Sequence, residues 1–125
     1  MDNAAPFSDR SVPEVKVPSG VAIAALLAMA LGLVTLGVVN IASAVDVGFK
    51  NAITLNSGIG PYSGKEVIAY GVWFASWIVL HFALRTRDLN VRKWFGVTMV
   101  HVFVAVLLVW PPIFEGIAHA LTGGA

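Results

Sequence analysis

Three long apolar stretches decide what this chain can become: residues 21–45, 67–84 and 95–110 contain no Asp, Glu, Lys or Arg. A bilayer core about 30 Å thick needs about 20 helical residues, with a tolerated range of roughly 17 to 25. The first stretch meets that length and the second lies at its short end. The third meets it by continuing through Pro111 and Pro112 towards Phe114. Strands of an outer-membrane barrel would alternate apolar and polar side chains over about ten positions. These runs are continuous, so helices are the spanning structure that pairs every backbone polar group. The composition agrees, with 58% hydrophobic and only 12% charged residues in a chain of 125, against about a quarter charged in soluble domains. The expected fold class is an all-α membrane protein with three transmembrane helices.

Composition also removes several function classes. A formal charge of +1, with no basic cluster beyond one short loop, gives no electrostatic footprint for nucleic acid. The absence of cysteine excludes disulfides and thiolate-held metals and leaves the redox compartment open.

The organisation follows from the gaps between the apolar runs. Residues 1–19 form a polar tail with Pro6, Pro13 and Pro18 and charges of both signs. Ser19 offers a cap for helix 1, expected over residues 20–45. The small-residue sequence Ala42-Ser43-Ala44 resembles a signal-peptide cleavage site. The apolar run is longer than the usual 7 to 15 residues, and Asp2, Asp9 and Glu14 outweigh Arg10 and Lys16 before it, so the helix is expected to be retained. Residues 46–65 form a loop whose first part, 46–55, suits a short interfacial helix and whose 56–61 segment is a glycine and proline turn. Ser63 and Glu66 match a capping box that starts helix 2, residues 66–85. Residues 86–91 are a connection short enough to make helices 2 and 3 a tight antiparallel hairpin. Helix 3 is expected over 92–114, with a tail at 115–125.

In a three-span chain the short loop and the amino terminus share one side. That side holds Arg10, Lys16, Arg85, Arg87, Arg92 and Lys93, against Lys50 and Lys65 opposite. Positive residues near span ends favour the cytoplasm. The amino terminus is therefore expected there and the carboxyl terminus outside.

Two histidines lie well inside the apolar segments, and an ionisable group in a span is by default a functional candidate. Tyr70, Trp73, Phe74, Trp77 and His81 fall at spacings of three and four, on one helix face. Such a row can wall a flat cofactor, a haem, a quinone or a pigment, with His81 as ligand or donor. It can equally supply an interfacial belt at its outer end and helix packing deeper in. His101 lies near the middle of helix 3 with Thr98 one turn earlier, a polar spot suited to a ligand, a proton relay or a hydrogen bond across a helix interface. Counted from Asp88 at the turn, the two histidines differ in depth by roughly 9 Å at about 1.5 Å per residue. One haem clamped by both within a single copy is therefore not expected. Glu115 and His119, one turn apart, lack the further ligands that a metal site needs, so no metal site is assigned.

Helix 1 carries Gly20, Ala24, Ala28 and Gly32 at every fourth position, a small-residue ridge on which another helix can approach closely. Gly37, Asn40 and Ser43 extend its weakly polar character. No phosphate-binding loop, dinucleotide fingerprint, paired carboxylates or nucleophile beside a base is present, so catalysis by the chain alone is not expected. The leading expectation is an accessory or structural subunit of a larger membrane complex, respiratory or photosynthetic, with other membrane subunits and lipid as partners. The alternatives are a haem- or quinone-binding anchor subunit and a small homo-oligomeric carrier or channel. In size and helix count the chain is similar to the membrane anchors of succinate dehydrogenase, which hold haem b and quinone. Their histidine and aspartate-tyrosine pattern is not found around His81 or Asp88.

Overall fold

The uncharged run after Pro18 folds as one unbroken helix, α1 (Ser19–Val45), in a computed structural model that describes residues 14–124. The tail features at Pro6, Pro13, Asp2, Asp9 and Arg10 lie outside the described residues. Four helices follow: α2 (Val47–Ala52), α3 (Tyr62–Leu84), α4 (Val91–Val109) and α5 (Pro111–Leu121). No strand forms among the described residues, and the single bridge is Asn56 to Gly60. Three of the helices, α1, α3 and α4, are long and apolar enough to cross a membrane.

α1 is the hub. It packs along α3, α4 and α5, whereas α3 and α4 make no close approach to each other among the described residues. The connection between those two is as short as expected, but they diverge from it onto α1 and do not form a packed hairpin. The physical reason is side-chain size. α1 presents Gly20, Ala24, Ala28 and Gly32 towards one side, all buried, and the Gly32 α-carbon lies directly against the Trp73 side chain of α3. A seven-residue repeat places Ile23, Ala30 and Gly37 on a second buried face, where Gly37 meets Leu108 of α4. A helix that is small on two sides accepts two neighbours at once.

These approaches also fix directions. Gly20 sits beside Leu84 and Arg87, and Gly32 beside Trp73 and Ala69, so α1 and α3 are antiparallel. Ser19 meets Leu89 and Gly37 meets Leu108, so α1 and α4 are parallel.

The helix ends depart from the sequence expectation in three places. Ser19 is the first residue of α1 and does not cap its own helix. Its hydroxyl instead donates to the Leu89 carbonyl at 2.9 Å and accepts from the Leu89 N–H at 2.8 Å. The Ser19 N–H donates to Asp88 Oδ1 at 3.2 Å and the Gly20 N–H to the Arg87 carbonyl at 3.0 Å. Free amides of the first turn are thus satisfied by the α3–α4 turn, which caps α1 from outside.

The Ser63–Glu66 capping box does not form. α3 starts at Tyr62, with no side-chain cap. The Ser63 hydroxyl accepts from the Leu55 and Asn56 N–H groups at 3.0 and 3.1 Å and donates to the Gly60 carbonyl at 2.7 Å. One hydroxyl cannot serve both roles, and the preceding turn claims it.

Helix 3 does not run to Phe114 either. α4 ends at Val109, Trp110 is extended at φ −68° and ψ 120°, and α5 begins at Pro111. Proline lacks the N–H that would continue the ladder and clashes with the preceding turn, yet suits a first helical position. The expected carboxyl-terminal tail is mostly this separate helix, which rests on α1 and α4. The short helix foreseen in the first loop is α2, capped by Asp46 Oδ1 accepting from Gly48 and Phe49 N–H at 2.7 and 3.2 Å.

Candidate functional site

α3 turns its aromatic row outward. None of its residues in the apolar stretch is buried. Trp73 and Trp77 remain 41% and 37% exposed, and Tyr70 and Phe74 more so. The rings form a continuous series: Trp73 to Phe74 at 6.4 Å, Phe74 to Trp77 at 6.0 Å, Trp77 to His81 at 5.8 Å and His81 to Phe82 at 5.7 Å. Neither indole N–H donates a hydrogen bond among the described residues. Among the described residues α1 meets the row only at the base of Trp73, beside Gly32, and leaves the rest of it uncovered.

His81 lies in that series between Trp77 and Phe82, half-buried, one turn before the end of α3. Its Nδ1 is buried and has no hydrogen-bond partner. A lone pair left unpaired costs less than a buried N–H left unpaired, because an orphaned donor is the rarer and more expensive defect. That places the ring proton on Nε2, and His81 offers its surroundings a donor.

His101 differs on each count. It is exposed, midway along α4, and its Nδ1 lies 2.8 Å from the Val97 carbonyl. Thr98 is fully buried against α1 and its hydroxyl donates to the Trp94 carbonyl at 2.9 Å. The polar spot expected of Thr98 and His101 is therefore not assembled. Residues three apart on a helix are offset by about 60°, and here the edge of the α1–α4 interface runs between them.

Depth can be read against α1. Gly20 lies by Leu84 and Gly32 by Trp73, which puts His81 level with Ile23. Ser19 lies by Leu89 and Gly37 by Leu108, which puts His101 level with Ala30. Seven residues at about 1.5 Å separate the two levels by roughly 10 Å, and the histidines sit on different helices flanking α1.

Leu33 and Leu36 of α1 line two adjoining apolar grooves, the first of them also lined by Met29. The groove against α3 encloses about 320 Å³ and reaches Glu66, Tyr70 and Trp73. The groove against α4 is walled by Ala105, Val106 and Trp110. Glu66, expected to cap a helix, instead borders a groove.

Lys65, in the first turn of α3, is buried, with its ammonium 5.1 Å from the Tyr62 ring. Its burial was not legible, because it depends on Gly64 admitting the Ile53 backbone at close range. The cap that Asp88 gives to α1 was missed as well. Its signal was an acidic residue in an otherwise basic loop.

Glu115 and His119 are both exposed on α5, and no group of three His, Cys, Asp or Glu that could hold a metal ion occurs among the described residues. These residues thus define an all-helical chain with three helices long and apolar enough to cross a membrane and with aromatic and imidazole groups on its outer faces. No family model, curated protein or solved structure matches it.

Proposed function

We propose that this chain is a three-span integral membrane protein acting as a non-catalytic accessory subunit of a larger membrane complex, respiratory or photosynthetic in kind. The observation that carries this reading is the outward aromatic row of α3, with unbonded indole N–H groups at Trp73 and Trp77. Trp73 is level with Gly32, near the middle of α1. A tryptophan in an interfacial belt places its N–H at the headgroups. At mid-span no water or lipid carbonyl is at hand, and a polar hydrogen without an acceptor in hydrocarbon costs several kcal/mol by order of magnitude. A neighbouring subunit supplies the acceptors. Rigid exposed aromatics are also the side chains that dominate protein interfaces.

The reading includes an orientation. Arg85, Arg87, Arg92 and Lys93 gather at the α3–α4 turn, where α1 begins, and positive residues favour the cytoplasmic side. The amino terminus is cytoplasmic and the α2 loop and α5 lie outside. Because the chain has no cysteine, single Ser57→Cys and Thr86→Cys variants test this directly. An impermeant maleimide should label the first from outside the cell and the second only after lysis. The reverse pattern overturns the orientation.

The subunit reading itself is tested by purification from the native membrane in mild detergent. Other integral subunits should co-migrate in fixed ratio, and Trp73→Leu with Trp77→Leu should loosen them. A chain that runs alone, unaffected by both substitutions, refutes it. The second reading, a cofactor-bearing anchor, is favoured by one specific observation, the outward imidazole of His101.

A further inference from the structure

A neutral imidazole has one N–H and one lone pair, and the hydrogen-bond partner of His101 distinguishes them. Nδ1 lies 2.8 Å from the Val97 carbonyl oxygen. A carbonyl only accepts, so Nδ1 carries the hydrogen and Nε2 carries the lone pair. This bond to the preceding turn also fixes the ring's orientation. His101 is exposed at the middle of α4, and no side chain among the described residues donates to Nε2. The surface beside it is apolar, with Val100 and Val104 exposed. In hydrocarbon such a lone pair calls for a donor or a metal.

Three occupants can be separated by chemistry, and a donor from a neighbouring subunit is separated from them by the native-membrane test below. A bare metal ion needs about four protein ligands, and no group of even three His, Cys, Asp or Glu occurs among the described residues. A second copy meeting the same face across a two-fold axis would set Nε2 against Nε2, lone pair against lone pair. A metal held in a macrocycle brings four nitrogen donors of its own, can be held by a single protein ligand, and offers a flat apolar body to an apolar helix face. The Nδ1–H bond to a carbonyl is also how metal-ligating histidines are oriented and made more basic.

We infer that His101 is a single axial ligand, through Nε2, for a metallo-tetrapyrrole lying against the outer face of α4. The inference rests on the reading that α4 crosses the membrane, and it deepens the anchor reading by naming the atom and the class of ligand. Binding forms one dative bond from the Nε2 lone pair to the metal. The proton stays on Nδ1 and no electron is transferred. His81 takes no part in this site, because it sits on another helix, roughly 10 Å away in depth, and its Nδ1 lacks the orienting bond.

The full chain in detergent micelles is titrated with zinc protoporphyrin IX while the Soret band is followed. The expected result is one porphyrin per chain with a shifted band. His101→Leu should weaken binding at least about tenfold and abolish the shift, with helicity by circular dichroism unchanged, whereas His81→Leu should retain both. His101→Gly should regain the shifted band when free imidazole is added, a response that a merely structural role would not give. In ¹⁵N spectra of the metal-free protein, His101 should be protonated at Nδ1.

Equal binding and an equal band in His101→Leu, no shift in the unsubstituted chain, or protonation at Nε2 would each overturn the assignment. Native membranes separate its failure from that of the subunit reading. A chain that purifies alone with bound pigment refutes only the latter. Partners that detach in His101→Leu, with no pigment on the chain, refute only the former.

Discussion

Gly20→Ala is the sharpest test of the packing. The Gly20 N–H donates to the Arg87 carbonyl at 3.0 Å, and the Ser19 hydroxyl makes two bonds to Leu89 beside it. A β-carbon at position 20 would overlap the Leu84 carbonyl oxygen and lie 2.7 Å from the Arg87 carbonyl oxygen. Both obstacles are backbone, so neither can swing aside, and the first turn of α1 must part from the α3–α4 turn. Overpacking of this kind costs about 1 to 3 kcal/mol. Loosening two or three hydrogen bonds adds about 1 kcal/mol each where they break. The better helix propensity of alanine returns up to about 1 kcal/mol. The net expectation is a loss of about 2 to 5 kcal/mol, a change of about 30- to 5,000-fold in the unfolding equilibrium. Denaturant unfolding in mixed micelles, followed by tryptophan fluorescence, measures it. Gly71 and Gly96 are the controls, since a β-carbon at either meets nothing within 4 Å, and their alanine variants should be more stable by about 0.5 to 1 kcal/mol. If Gly20→Ala behaves like Gly71→Ala, the docking of α1 on the turn described above is wrong.

Three further outcomes are expected. Ser63→Ala removes a hydroxyl that accepts from Leu55 and Asn56 and donates to Gly60, so it should cost about 1 to 3 kcal/mol and raise amide exchange at Leu55 and Asn56 while leaving the exchange of mid-α3 unchanged. Ser19→Ala should cost about 1 to 2 kcal/mol through the two lost Leu89 bonds, more than Asp88→Asn, which keeps an acceptor for the Ser19 N–H and gives up only a charge at the α1 amino terminus, worth about 0.3 to 1 kcal/mol. The same unfolding assay ranks the pair, and the reverse order would contradict the external cap. Gly60 has φ +66°, so Gly60→Ala should cost about 1 to 2 kcal/mol and speed proteolysis within residues 53–61, whereas Gly58→Ala, without positive φ and with only the Asn56 side chain to displace, should cost less.

The three long helices were legible because hydropathy is a one-dimensional property: uncharged runs of helical length need no knowledge of their neighbours. What was not legible depends on competition between neighbours. Ser63 had a good capping partner in Glu66, but the turn at 55–60 needed the same hydroxyl and took it. Ser19 was a plausible cap, but Asp88 and Leu89 reached the amides of α1 first. The turn between α3 and α4 was correctly short, yet shortness of a loop does not make its helices touch when a third helix has the smaller surface. Thr98 and His101 share a helix face by spacing alone, and only the position of α1 shows that one is inside the interface and the other outside. The two histidines were visible as unusual residues, but the tautomer of each is set by a backbone carbonyl or its absence, which no sequence pattern encodes.

The hub position of α1 explains where the chemistry of this chain is found. Close helix approach consumes small residues, and α1 uses its glycines and alanines on two faces to hold α3 and α4. With those faces occupied, Phe74, Trp77 and His101 stand outward, and Trp73, whose β-carbon meets Gly32, leaves its ring partly exposed. α3 and α4 flank α1 separately, and Trp73 lies level with Gly32 while His101 lies level with Ala30. The outer faces therefore open at similar depth on two different helices. A single neighbour large enough to cover both would have to wrap around α1's exposed Met29 and Leu33. Two distinct neighbours, a protein on the aromatic row of α3 and a macrocycle on α4, meet the same groups without that demand. On this argument Trp73→Leu should loosen the protein partner without altering the porphyrin band, and His101→Leu should do the opposite. A substitution that disturbs both together would mean that one occupant spans both faces.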